Sequence, residues 1–153
     1  MKKIKLFLAL TLITQLGVAN ASTEDDVASA ISKIYDKPNQ KVMTSPVAVV
    51  DKFAIADWTQ GNRGGRALMK NINGQWAIAA CGADGLKDLK NLKDAGIPTK
   101  TAKALLSQLT QLEKSVDPQR LKMFSLFGTK DDPKNKEEGH HHEHHHEHHH
   151  EHQ

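Results

Sequence analysis

The chain holds ten histidines, all within residues 140–153: His140, His141, His142, His144, His145, His146, His148, His149, His150 and His152, with Glu143, Glu147 and Glu151 at every fourth position. Neutral imidazole is the commonest side-chain ligand for Zn(II), Cu(II) and Ni(II). A run this dense offers several ions two to four nitrogens each without a preformed pocket. A regular His-His-His-Glu repeat is also an unusual design for an expression tag. The expected chemistry of residues 140–153 is therefore metal coordination.

The affinity order of nitrogen sites favours Cu(II) over Ni(II) and Zn(II), but ligand type narrows the ion only to this class. A site built for Cu(I) would draw on Cys and Met, and Met43, Met69 and Met123 are scattered without a motif, as core fillers are. The glutamates can take a coordination position or orient imidazoles, and they offset the charge of several divalent ions. If helical, the segment would align His140, His144, His148 and His152 on one stripe. It lacks an apolar face, so disorder without metal and partial ordering with it is the expectation. Protonation of the imidazoles near pH 6.5 and below would reverse the charge of this segment and remove its ligands together.

Outside residues 140–153 there is no histidine, which excludes a Ser-His-Asp or Cys-His nucleophile system and a zinc-protease helix motif. No enzyme activity and no organic cofactor are expected. The single cysteine, Cys81, cannot form an intramolecular disulfide. It stands before a glycine at the end of a predicted strand, where a thiol could bind Cu(I) or form a mixed disulfide, although a buried structural Cys is commoner. Asp57, Arg63 and Arg66 surround a glycine-rich loop. They could make a small-anion or partner-binding site, or form a surface ion pair among solvated loop arginines.

The start of the chain reads as an address. Lys2, Lys3 and Lys5 precede an apolar stretch over residues 6–18, and Ala19-Asn20-Ala21 matches a signal-peptidase site. The stretch is too short to span a bilayer comfortably, and no second one follows, so a soluble exported protein beginning at Ser22 is expected rather than an integral membrane protein. Removal of residues 1–21 leaves 18 basic and 18 acidic residues. No basic stripe with interleaved aromatics remains to suggest nucleic-acid binding.

Between these ends the hydrophobic period changes twice. Thr23 and Asp26 resemble a capping box, and Val27, Ala30, Ile31, Ile34 and Tyr35 then recur at helical spacing up to Pro38-Asn39. Short runs over 42–50, 53–59, 66–71 and 75–81 read as an antiparallel meander. They are joined by Asp51-Lys52, a looser loop over 61–65, and Asn73-Gly74, the strongest hairpin signal in the chain. Trp58 and Trp76 are expected on the face that meets the helices. Helical spacing returns with Leu86, Leu89 and Leu92, then with Ala102, Leu105, Leu106, Leu109, Leu112 and Val116, and last with Leu121, Phe124, Leu126 and Phe127 after Asp117-Pro118. The order predicts an α+β domain over 22–128, with the C-terminal helices packed on one sheet face, cystatin-like or nuclear-transport-factor-like by analogy. Residues 129–139, charged and almost without apolar side chains, are expected to be a disordered linker to the tail at 140–153.

The blocks Asp57-Trp58-Thr59-Gln60-Gly61, Gly64-Gly65-Arg66-Ala67-Leu68 and Trp76-Ala77-Ile78-Ala79-Ala80-Cys81-Gly82-Ala83-Asp84 resemble the small secreted bacterial copper uptake system-associated proteins. The resemblance continues through Ala95-Gly96-Ile97-Pro98 to Asp117-Pro118-Gln119-Arg120-Leu121. It implies a periplasmic accessory to copper acquisition, often with a His-bearing C-terminus, working near an outer-membrane receptor or an inner-membrane copper transporter. It transfers no catalytic residues. The combined expectation is a metal-binding accessory protein that captures or buffers copper. The alternatives are a zinc or nickel buffer, or a protein-interaction or small-anion module whose tail senses metal.

Overall fold

A computed structural model describes residues 22–138. The expected signal segment at 1–21 and all the expected tail ligands at 140–153 lie outside the described residues. The chain opens with α1, Thr23–Tyr35. Its N-cap is Ser22, whose hydroxyl accepts from the Asp25 N–H while Asp25 accepts from the Ser22 N–H. The reciprocal box thus sits one residue earlier than Thr23 and Asp26 suggest, because Ser22 supplies the same hydroxyl chemistry in extended backbone.

Four strands follow, β1 Met43–Val50, β2 Phe53–Gln60, β3 Arg63–Ile72 and β4 Gln75–Gly82, in an antiparallel sheet of order β1-β2-β3-β4. The β3–β4 hairpin turns on Asn73 and Gly74, both at positive φ, as the strand-matching tight turn requires. A 3₁₀ turn at Asp84–Lys87 leads into α2 Leu89–Asp94, α3 Thr99–Glu113, α4 Pro118–Phe124 and α5 Pro133–Glu138. The α+β order expected from the sequence is the one observed.

Strand alternation explains how the sheet is covered. In β2 and β3 the large side chains Phe53, Ile55 and Leu68 face α2 and α3, where they meet Leu92, Ile97, Ala102, Leu105 and Leu109. The alternate positions Ala54, Ala56 and Ala67 are small, and with Val47 and Met69 they receive Val27 and Ile31 of α1 on the opposite face. Helices therefore cover both faces. The C-terminal helices α2 and α3 take the bulky face, and alanines let α1 approach the other closely. Trp58 and Trp76 both lie on the α1 face, partly buried.

Two boundaries differ from the sequence reading for one reason. β3 begins at Arg63, so Gly64 and Gly65 are strand residues and the loop shortens to Gly61-Asn62. A Cβ on Gly64 would stand 2.9 Å from Met123 Cβ, and one on Gly65 2.9 Å from both Phe127 and Trp58. These glycines clear space for the segment after α3 to lie against the strand; they are not turn residues.

The second boundary is at the C-terminal end. Residues 129–138, expected as a disordered linker, contain a turn and α5, and Asp132 is buried. One of the charges that read as solvating, Asp132, is used internally in a pair with Arg63, while Lys130, Asp131, Lys134 and Lys136 stay exposed. Among the described residues no helix is long and apolar enough to cross a membrane.

Candidate functional site

Two polar constructions stand out in the body, one on each sheet face. On the α3 face, Asp57 of β2 and Arg66 of β3 are cross-strand partners and are 0% and 2% exposed. Arg66 Nε lies 3.2 Å from Asp57 Oδ1, but the angles do not make a hydrogen bond, and both Asp57 oxygens remain without a donor. The other guanidinium nitrogens reach outward. Nη1 donates to Asp84 at 2.7 Å and Nη2 donates to Glu113 at 2.8 Å, while Lys87 donates to the second Glu113 oxygen. The network thus ties β2, β3, the 3₁₀ turn and the last residue of α3 together.

Burial pushes the Asp57 carboxyl up to about 7, against the pull of the Arg66 charge and with the adjacent Glu113 charge adding to the rise. Burial also acts to raise Glu113, but the hydrogen bonds and charges of Lys87 and Arg66 outweigh it and hold that carboxyl below its usual value. Two neighbouring carboxyl groups are thereby driven in opposite directions. Such separation can mark an acid–base site, but it arises equally in structural ion-pair networks.

On the α1 face the chain beyond α4 lies across the sheet. Phe127 packs edge-on to Trp58, with ring centroids 5.5 Å apart, and the Arg63 guanidinium sits 5.7 Å from the Phe127 centroid. Arg63 donates from Nε and Nη2 to the two oxygens of Asp132 at 2.9 and 3.1 Å, and Asp132 also accepts from the Gly128 and Lys134 N–H groups. The Arg63 hydrogen bond, helped by the backbone donors, holds Asp132 well below the usual carboxylate range.

This arrangement roofs a pocket of about 230 Å³. Ile31 and Tyr35 of α1, Trp58 and Cys81 of the sheet, and Phe127 and Lys134 of the C-terminal segment are among its walls. Burial pushes the Cys81 thiol up, partly opposed by a hydrogen bond with Tyr35, so it is a poor thiolate at neutral pH. The pocket is mainly apolar with a polar rim, a shape suited to a small amphipathic molecule.

The expected Asp57, Arg63 and Arg66 constellation does not form. Asp57 and Arg66 face α3, whereas Arg63 faces α1, as strand alternation demands once β3 starts at Arg63. Arg66 is neither solvated nor able to offer an anion its charge, because Asp84 and Glu113 already occupy it.

Sequence reading missed Glu113, Lys87, Asp132 and Tyr35. Glu113 carried a signal, since it follows Leu105 and Leu109 at four-residue steps on the buried stripe; Leu112, expected there, is exposed instead. Asp132 lay in a stretch whose charge made it look solvated. Among the described residues no group of three or more His, Cys, Asp or Glu side chains is arranged to hold a metal ion. No family model matches the chain, and neither does any curated protein or solved structure.

Proposed function

We propose that this protein is a periplasmic, non-catalytic metal-binding accessory that captures or buffers copper for an uptake system. The observation that carries the proposal is the placement of all ten histidines in residues 140–153, at a density that serves several ions and has no use in a packed core. The choice of copper rests on the nitrogen-rich ligand set and on the resemblance of residues 57–68 and 76–84 to copper uptake system-associated proteins. Export rests on the signal-like residues 1–21.

The folded body supports this role by its independence from the tail. Two apolar cores form among the described residues on either side of the sheet, so metal bound at the histidines can come and go without unfolding the body. The Arg63–Asp132 pair fixes the chain just ahead of the histidine-rich residues to the sheet. A transport partner bound to the body would then meet a high local concentration of ligands.

Equilibrium dialysis of the chain from Ser22 onward, against the same chain ending at Glu138, tests the proposal. Binding of more than one Cu(II) by the longer chain and near-complete loss in the shorter one are expected. Equal metal content in the two would reject it. Competition with Zn(II) and Ni(II) in the same cell decides between copper and the other divalent ions, and metal analysis of untagged protein isolated from the periplasm identifies the physiological one.

A further inference from the structure

The buried network on the α3 face has no part in the proposed metal chemistry, and its charge count is uneven. Asp57, Asp84 and Glu113 bring three carboxylates against the two cations Arg66 and Lys87. Asp84 is largely exposed and its charge is screened by water; Asp57 and Glu113 are not. These two flank a single guanidinium, with Arg66 Nε 3.2 Å from Asp57 and Nη2 2.8 Å from Glu113. Both Glu113 oxygens are taken by cationic donors, Arg66 and Lys87, whereas neither Asp57 oxygen accepts any hydrogen bond. A buried carboxylate without a donor is costly, and a carboxylic acid at the same place is much less so.

No other group around Asp57 changes this balance. From α4, Phe124 covers Arg66 with its ring, 5.8 Å from the guanidinium, and the charge on the ring's other contact, Arg120, is directed to the Ser45 carbonyl. Strands β1 and β4 contain no charged residue, and the thiol of β4, Cys81, packs on the opposite face.

We infer that Asp57 is a buried proton site that locks the 3₁₀ turn and the end of α3 onto the sheet when protonated and loosens them when it ionises. In the protonated state Arg66 is committed to Asp84 and Glu113, and Glu113 pins α3 through Arg66 and Lys87. Ionisation places a second buried negative charge beside Glu113 and draws Arg66 toward Asp57, which weakens the hold on α3. The device works in the sense opposite to the tail. Below neutrality the imidazoles protonate and release metal, while the body becomes tighter.

The sign follows from linkage. A group whose folded-state affinity for protons exceeds its unfolded value stabilises the fold fully below the unfolded pKa, and the contribution is lost as pH rises through the folded one. The window therefore runs from the ordinary aspartate range, roughly pH 4, up to neutrality.

Carboxyl ¹³C NMR titration of the metal-free chain from Ser22 to Gln153, kept in chelator, reads the proton site directly. Asp57 should titrate near neutrality, well above the other aspartates. Amide exchange of the intact chain and of Asp57→Asn, corrected for intrinsic rates, reads the consequence. Protection over residues 84–88 and 109–116 should fall about tenfold between about pH 6 and about pH 8 in the parent chain and stay level in Asp57→Asn. Titration of Asp57 in the ordinary carboxylate range, or the same fall in protection in Asp57→Asn, would overturn the inference. Should Asp57→Asn fail to fold, the NMR titration of the parent chain decides alone.

Discussion

Arg63 and Asp132, 69 residues apart in the chain, meet through two parallel hydrogen bonds of 2.9 and 3.1 Å and close the C-terminal segment over the α1 face of the sheet. Bidentate pairing of this kind fixes direction as well as distance. It explains why a stretch as polar as residues 129–138 has a defined path: the stretch contributes one buried carboxylate, Phe127 just before it packs on Trp58, and β3 supplies the matching guanidinium.

Asp132→Asn should lower stability by about 1–2 kcal/mol, the range of a partly exposed charge-assisted pair. Because the folded-state pKa of Asp132 is depressed, its contribution is present above the unfolded pKa, roughly pH 4, and is lost as pH falls through the folded value. Thermal unfolding at neutral and strongly acid pH checks this. The acid loss should be smaller in Asp132→Asn than in the parent, and limited proteolysis within residues 129–138 should be faster at neutral pH.

Arg66→Met should be among the most damaging single changes in the body. It leaves Glu113 and Asp57 buried without the guanidinium, at a cost of about 3–5 kcal/mol. Adding Asp57→Leu and Glu113→Leu to it should recover much of that loss, since a buried ion network is often replaceable by apolar packing. Denaturant unfolding measures both steps. Metal stoichiometry should be unchanged throughout, because no tail residue is touched.

Gly64→Ala should destabilise by about 1–3 kcal/mol through overpacking. The added methyl would stand 3.0 Å from the Met123 backbone carbonyl carbon and 3.1 Å from the Trp58 carbonyl oxygen, and neither can move independently of its element. Gly74→Ala, in contrast, meets no atom but must adopt a positive φ of 84°, so its smaller cost, about 1 kcal/mol, comes from the backbone alone. Chemical denaturation of the two variants separates steric from conformational cost.

Cys81 should react slowly with an alkylating agent at neutral pH compared with a free thiol, because burial keeps it protonated. Tyr35→Phe removes the one hydrogen bond that opposes that effect and should raise the thiol pKa further. The pH profile of the alkylation rate reads both. A rate equal to that of free cysteine would show the pocket to be open to reagents.

Some of this protein was determined by sequence alone, and the rest was decided only by tertiary structure. The two period changes, from helix to strands at about Val42 and back after Gly82, follow from local patterning, and they were sufficient for the α+β order. The Asn73-Gly74 turn was legible because one tight turn type demands those residues. The metal-ligand role proposed for residues 140–153 likewise rests on composition. Pairing across long separations was not legible. Arg63 looked like a loop cation because Gly64 and Gly65 looked like a turn, whereas they pair with Thr59 and Trp58 as strand residues and leave room for Met123 and Phe127. With the strand running back to Arg63, Arg66 shares the α3 face with Leu68 and Arg63 takes the α1 face, since side chains on a strand alternate. Their partners, Glu113 and Asp132, lie 47 and 69 residues away, and which carboxylate meets which cation is fixed by the packing of α3 and the C-terminal segment on opposite faces, a relation that local sequence does not encode.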